Sequence, residues 1–397
     1  MSGNTGAASP DSDLSEKFRR LVEVGLALTS ERNVSVLLGR ILFEARRFTG
    51  AEAGTLYLVT PDGKLQFSVV QNDNLGHSEV LVGNGSQPIT IEISPTSIAG
   101  LVAGTGSTVN IPDVHTLPAS CGFHFDSSFD LKTGYCSRSM LAVPMKTPDG
   151  HITGVIQLIN ARRPGTGGGT TFPKENEELV LCLASQAAVA LNNARLTSEL
   201  QLAYSEAIHR LARAAEFRDH DTGQHIERVS RYAAAIAEAM DLPPASVSQI
   251  LLASTLHDIG KLAIPDRLLL KPGKLTDEEY AEMKHHAELG ADLLAGSENP
   301  TIHLAAEIAL SHHEKWDGSG YPRGLKGDEI PVSGQICAVA DVFDALSSAR
   351  CYKKPLGLEE ACGFLRRESG HHFSPRVVNA FFEVIDKIAS IQKEFSA

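Results

Sequence analysis

The sequence predicts a multidomain chain. An α+β domain, with helices flanking an antiparallel sheet, is followed by a long linking helix and an all-α helical bundle. Three observations carry this reading. At 397 residues the chain exceeds what one ordinary core organises, so two domains are the default. Strand-like segments with turn signals fall between Gly54 and Ile159. From Ile208 onward nearly every segment reads as helix, and eleven of the fifteen histidines lie at or after His209.

Residues 1–13 are small, polar and acidic and read as a disordered tail, with no basic start or apolar core of a signal peptide. Leu14, Phe18, Leu21, Gly25 and Leu28 recur at helical spacing, as do Leu37, Ile41, Ala45 and Phe48. Thr55–Val59, the Pro61-Asp62-Gly63 turn and Leu65–Val70 read as a strand hairpin. Leu141–Met145 and Val155–Ile159 form a second pair around Pro148-Asp149-Gly150. A Gly-rich loop at 164–171 precedes a run with no Gly or Pro before Gly223. Its stripes, Leu179, Leu183, Ala187, Leu191, Ala194 and then Leu200, Tyr204, Ala207, Leu211, Ala214, predict a helix of about 45 residues, far beyond the ~10–14 average. Such a helix either pairs with a second copy in a parallel dimer or lies on its own domain. Helices are then expected over Val229–Met240, Ala245–Ile259, Asp277–Leu294, Ile302–Leu310, Ile336–Ala349, Leu358–Glu368 and Pro375–Ile391.

Composition narrows the function. Charged residues are 21 % and hydrophobic ones 42 %, with a net charge of -12. That balance argues against a surface for polymeric nucleic acid or anionic lipid, so an anionic substrate would need a local Lys/Arg cluster. Six scattered cysteines without a C-x-x-C pair suggest reduced thiols. No run of consecutive residues reaches the ~18–20 apolar residues that cross a bilayer, and a cytoplasmic location is expected.

The histidines of the helical half converge with carboxylates. Asp221 and His225 are four apart, on one face of a predicted helix. His257 and Asp258 interrupt an apolar run, as Asp341 interrupts Ile336–Val342. Burying such groups is costly unless something coordinates or pairs them; a buried His–Asp hydrogen bond would answer for 257–258 alone. With His286, His312 and His313 there are five His and up to three Asp, enough for two or three cations in a helical bundle. His209, His285, His303, His371 and His372 read as surface or core residues.

In order, Asp221…His225, His257-Asp258-Ile259-Gly260-Lys261, His286, His312-His313…Gly320-Tyr321-Pro322, Asp341-Val342-Phe343-Asp344 and Arg350-x-Tyr352-Lys353 closely resemble the HD-GYP family, over about residues 208–390. That is the branch of the HD phosphohydrolases that degrades the second messenger cyclic di-GMP. The resemblance implies a metal-dependent phosphodiesterase giving the linear dinucleotide pGpG and, in some members, GMP. It implies metal ligation by His225, His257, Asp258, His286, His312, His313 and Asp341, with Asp258 bridging two ions. In three-metal members a carboxylate, usually Glu, occupies the place of Asp221. Lys261 would stabilise phosphate or leaving-group charge and act with Asp258 in catalysis. Arg350 and Lys353 would hold phosphates, and Tyr321 would shape the guanine side. Cys351 stands where the family usually carries Pro. Imidazole-rich ligation suits Fe or Mn better than Mg, and two ions ~3.5–4 Å apart provide hydroxide and charge screening.

Upstream, Ile98-Ala99-Gly100-Leu101-Val102, Asn110-Ile111-Pro112-Asp113, Thr133-Gly134-Tyr135 and Gly154–Asn160 are similar to a GAF domain of the cyclic-nucleotide-binding type. The Asn-Lys…Phe-x-x-x-(Asp/Asn)-Glu signature is present as Asn160-Ala161…Phe172-x-x-x-Asn176-Glu177, with Ala161 in place of the Lys that supports the acidic residue there. Helix N–H groups at Ile98 and Ala99, with Thr133, are the candidate contacts for cAMP or cGMP; a GAF used only for dimerisation is the alternative. The domains expected are a GAF sensor at 14–172, a linker and dimerisation helix at 173–215 and a catalytic HD-GYP domain at 216–397. The chain is thus expected to be a cyclic di-GMP phosphodiesterase, homodimeric through its GAF and linker helices. Alternatives are a non-cleaving cyclic di-GMP sensor and a hydrolase of another cyclic dinucleotide such as cyclic GMP-AMP.

Overall fold

The computed structural model describes residues 19–28, 31, 33–80, 89–162, 171–218, 224–348 and 355–395. The tail expected at 1–13, Asp221, Arg350, Cys351 and Lys353 lie outside the described residues. The chain folds as two units, Met1–Leu200 and Gln201–Ala397.

In the first unit, α1 (19–28) and α2 (Val34–Thr49) precede the sheet. Asn33 caps α2 by accepting from Ser35 and Val36 N–H, and Gly50 closes it at φ 67°. The strands are β1 (Ala51–Val59), β2 (Lys64–Asn72), β3 (His77–Val80), β4 (Thr90–Glu92), β5 (Val109–Ile111), β6 (Met140–Lys146) and β7 (Ile152–Ala161). Every pairing is antiparallel, in the order β3-β2-β1-β7-β6-β5, with β4 added beside β2. Both turns read from sequence are formed, with Gly63 at φ 76° and Gly150 at φ 91°, a region that favours glycine. Side chains alternate faces along each strand. Leu141, Val143 and Met145 face the core with α1, α2 and Val180–Leu191, whereas Met140 and Ala142 face the core that includes α3 (Ile98–Thr105). A short helix, α4 (Ser128–Thr133), leads into β6.

The helix α5 spans Lys174–Phe217, 44 residues without a break. Its early residues Val180, Leu183, Ala184, Ala187, Ala188 and Leu191 belong to the core of the first unit, and Ile208, Ala212 and Ala215 to that of the second. The expectation that nothing here could span a bilayer needs correction. By length and composition alone α5 passes, with a best-window mean hydropathy of 1.3. A run of consecutive apolar residues is the wrong measure here, because scattered polar residues split it. In this structure 39 % of that window is buried.

Among its described residues the second unit is helical: α6 (Gln224–Ala239), α7 (Pro244–Ala253), α8 (Asp266–Leu269), α9 (Asp277–Lys284), α10 (His286–Leu294), α11 (Pro300–Ser311), α12 (Val332–Ser347), α13 (Leu358–Arg367), α14 (Pro375–Glu383) and α15 (Ile385–Glu394). Its core gathers Tyr232, Ile236, Ile308, Val339, Phe343 and Phe381. The expected class, α+β followed by a long helix and a helical bundle, is the one observed. Three predicted helices are interrupted. The run Ala245–Ile259 ends at Ala253 and continues as 3-10 turns at Ser254–Leu256 and Ile259–Ala263. Asp277–Leu294 breaks at His285, and Pro375–Ile391 breaks at Val384, where φ is -113°.

Candidate metal centre

Five segments of the bundle bring the histidines and carboxylates together. His225 stands in the first turn of α6, His257 and Asp258 between two 3-10 turns, and His286 at the start of α10. His312 and His313 follow α11, and Asp341 lies in the middle of α12. Asp258, His286, His312 and His313 form one group and His225, His257 and Asp341 a second, with the ligating atoms of each within 4.8 Å of one another. Asp258 joins the two. Its Oδ1 is 3.3 Å from His286 Nε2 and 3.6 Å from His312 Nε2, while its Oδ2 is 3.4 Å from His257 Nε2 and 2.8 Å from Lys261 Nζ. Asp341 Oδ1 is 3.3 Å from His225 Nε2 and 3.9 Å from His257 Nε2.

The tautomers follow from the partners. The Nδ1 atoms of His257, His286 and His312 lie 2.9 Å from Ser254 O, 2.8 Å from Met283 O and 3.0 Å from Ala309 O. A carbonyl only accepts, so each Nδ1 carries the hydrogen and each Nε2 presents a lone pair to the centre. Those three Nε2 atoms and Asp258 Oδ1 are buried without a hydrogen-bond partner. Unsatisfied inward-facing acceptors are costly unless cations complete them, so the donor set fits divalent metal.

Electrostatics agree. Burial alone would raise Asp258, but Lys261 and His257 outweigh it and hold its carboxyl well below the usual range. Burial pushes His286 down and His313 well down, so both stay in the neutral, ligating form. Burial opposes charge on His225 too, yet Asp341 and Asp344 overcome it and raise its pKa to about 10. Carboxylates that hold a proton there would equally hold a cation.

Behind the ligands are residues that sequence reasoning gave no role. Asp344, 1 % exposed, receives His225 Nδ1 at 2.8 Å and Arg228 Nε and Nη2 at 2.6 and 2.8 Å. Glu216, 6 % exposed near the end of α5, brings Oε1 to 3.8 Å from His225 Nε2. Glu314 is buried and accepts the N–H groups of Arg323 and Leu325, pinning the Gly-Tyr-Pro loop. Helical spacing was the available signal: Arg228 is three after His225, and Asp344 three after Asp341. Within the loop a Cβ at Gly320 would lie 2.5 Å from Glu314 Cα, so only glycine fits. The loop stacks Tyr321 on His313, ring centroids 4.7 Å apart.

In the first unit, α3 starts at Ile98 as expected, and Ser97 Oγ accepts Gly100 N–H. The Ile98 and Ala99 side chains are buried, so only their N–H groups could serve a ligand. Thr133 Oγ1 donates to Phe129 O and accepts from Tyr135 N. Asn160, at φ 58°, donates to Glu52, the Tyr135 hydroxyl and Cys136 O. Ala161 leaves the signature lysine absent, but Arg162 Nε pairs with Glu52 Oε1 at 2.9 Å beside it.

The models of the GAF domain and the HD domain match residues 33–191 and 199–377. A Thermotoga maritima protein named cyclic di-GMP phosphodiesterase is 50 % identical over 188 residues, covering 47 % of this chain and 51 % of that protein. A Xanthomonas campestris pv. campestris protein named cyclic di-GMP phosphodiesterase response regulator RpfG is 46 % identical, covering 53 % and 56 %. A Vibrio cholerae 3'3'-cGAMP-specific phosphodiesterase 2 is 43 % identical, covering 51 % and 39 %. The chain spans about half the length of the curated relatives it matches. It consists of a GAF domain followed by an HD domain, and the histidine–carboxylate centre belongs to the HD domain.

Proposed function

We propose that the chain is a metal-dependent phosphodiesterase that hydrolyses cyclic di-GMP to pGpG. The observation that carries the reading is the buried set of inward-facing Nε2 lone pairs around Asp258, with Lys261 beside it and Tyr321 stacked on His313. The names of the relatives support the substrate class. Held by His225, His257, Asp258, His286, His312, His313 and Asp341, with Asp221 as a further ligand, two or three Fe or Mn ions would acidify water and screen phosphate charge. Asp258 faces both groups and so fixes their separation. Lys261 meets negative charge arriving at Asp258, and Arg350 with Lys353 holds the phosphates. Tyr321, immobilised by the loop, bounds the guanine side.

Residues 14–172 act as the sensor, 173–215 as the linker and 216–397 as the catalytic domain of a cytoplasmic homodimer. Exposed leucines at 196, 200 and 211, on one face of α5, support pairing between copies. The sensor takes cAMP or cGMP at the Ile98 and Ala99 N–H groups and Thr133, and relays occupancy through α5.

Purified, metal-replete protein should convert cyclic di-GMP, and His257→Ala should abolish conversion. Intact cyclic di-GMP after incubation, with and without cAMP or cGMP, overturns the reading. Cyclic GMP-AMP is a second substrate candidate, favoured by the name of the Vibrio cholerae relative; a direct comparison of rates decides between them. Millimolar cAMP or cGMP should raise the melting temperature of the full chain if the sensor binds it.

A further inference from the structure

The aromatic contact beside the metal centre continues outward. Tyr321 stacks on His313 at 4.7 Å, and Lys284 Nζ lies 5.3 Å from the Tyr321 ring centroid. The same ammonium lies 4.8 Å from the ring of Tyr280, one turn earlier on α9. Tyr280 is 48 % exposed, a large aromatic face presented to solvent. One cation over two phenol rings is a cation–π arrangement that orders both rings. A line therefore runs from the ligand group through His313, Tyr321 and Lys284 to Tyr280, with a half-buried positive charge in its middle.

We propose that Tyr280 and Lys284 form a base-binding shelf for one purine of the substrate and that Lys284 makes it selective for guanine. Three features carry this. A cyclic dinucleotide whose scissile phosphate sits at the metal centre must place a base a few ångströms beyond it, and this line extends in such a direction. An exposed tyrosine face stacks a base with about 1–3 kcal/mol per base. The ammonium supplies donors, and guanine presents O6 and N7 as paired acceptors, whereas adenine presents a donor amine at N6. Lys284 is then a specificity-determining residue two positions before the ligand His286. The acidic chain gains a positive charge at the substrate face that does not depend on Arg350 or Lys353.

This inference rests on the phosphodiesterase reading, and the test separates the two. Steady-state kinetics of the full-length, metal-replete protein would be measured on cyclic di-GMP and cyclic di-AMP for the wild type, Lys284→Met and Lys284→Arg. Lys284→Met keeps the aliphatic stem and removes the cation. The ratio of kcat/KM for cyclic di-GMP over cyclic di-AMP should fall about tenfold, through KM, with bound metal unchanged by elemental analysis. Lys284→Arg should restore most of the ratio, and Tyr280→Ala should raise KM for both substrates. An unchanged KM in Lys284→Met, or an equal loss on both substrates, overturns the proposal. If the wild type turns over neither these compounds nor cyclic GMP-AMP, the phosphodiesterase reading fails. The shelf is then judged by equilibrium binding: it stands if wild type binds GMP more tightly than AMP and Lys284→Met loses that preference, and it falls otherwise.

Discussion

Replacing Asp344 by Asn should cost the centre a metal before it costs the protein its fold. The Asp344 carboxylate accepts three hydrogen bonds of 2.6–2.8 Å from Arg228 and His225 and is 1 % exposed. Asn has the same shape but one acceptor oxygen, and its NH2 group would face a donor. If the oxygen takes the Oδ1 place on Arg228 Nε, the amide NH2 faces Arg228 Nη2 and His225 Nδ1, and the ring relieves the latter by moving its proton to Nε2. That nitrogen faces Asp341 at 3.3 Å and is the one needed as a ligand. Loss of such a supporting carboxylate typically lowers metal affinity 10–100-fold, or about 1.4–2.8 kcal/mol. The weakened pairing of buried Arg228 adds about 3 kcal/mol of destabilisation, the low end for breaking a buried ion pair because a neutral hydrogen bond survives. Metal content would be read by elemental analysis after timed dialysis against a chelator, alongside the thermal midpoint. An Asp344→Asn protein that melts lower yet keeps wild-type metal stoichiometry, chelator resistance and turnover refutes the reasoning.

Exhaustive chelation should lower the melting temperature of the second unit and abolish turnover, with recovery on adding Mn or Fe(II) and little on adding Mg, whose oxygen preference the five imidazoles do not meet. Gly260→Ala should destabilise by about 2–3 kcal/mol in denaturant and lower metal content, because its Cβ would lie 1.9 Å from His286 O and 2.5 Å from Gly290 N, both backbone. Glu52→Gln should destabilise the GAF domain by about 1 kcal/mol at neutral pH through its bonds to Arg162, Asn160 and Tyr135. Burial raises Glu52, but Arg162 and Asn160 overcome it and lower its pKa below 4.5. The contribution is therefore complete above about pH 4.5 and lost as pH falls through the folded-state value, so wild type and variant should converge in acid melts.

The ligands were legible because the physics that makes them expensive also makes them visible. His257-Asp258 and Asp341 interrupt apolar runs, and a charge in such a run must be answered by something. Asp344 lies in the same apolar helix three residues after Asp341 and carries the same signal, whereas Arg228 and Glu216 sit in helices with many charged residues, where one more is ordinarily taken for the solvent face. Only the fold shows that α5 carries Glu216 to the bundle's ligands. The length of α5 was readable because nothing in 174–217 can end a helix. The breaks at 254–258, 285 and 384 were not, because none falls on Gly or Pro and the apolar periodicity runs straight across them.

Those breaks have a reason in the chemistry of the ligands. A carbonyl inside a helix is engaged by the N–H four residues later, whereas carbonyls at a helix end are unsatisfied. His257 follows the 3-10 turn that ends α7, His286 follows the end of α9, and His312 caps α11. Each draws its Nδ1–H partner from a carbonyl three residues back, at Ser254, Met283 and Ala309. Helix termini thus fix three imidazoles in the ligating tautomer with no side chain required. His225 differs: it sits in the first turn of α6. Its Nδ1 is held by Asp344 instead, and Asp344 is in turn held by Arg228. Of these four imidazoles, three are therefore supported by backbone and one by a side chain, and substitution of Asp344 or Arg228 should reach the His225–His257–Asp341 group before the Asp258–His286–His312–His313 group.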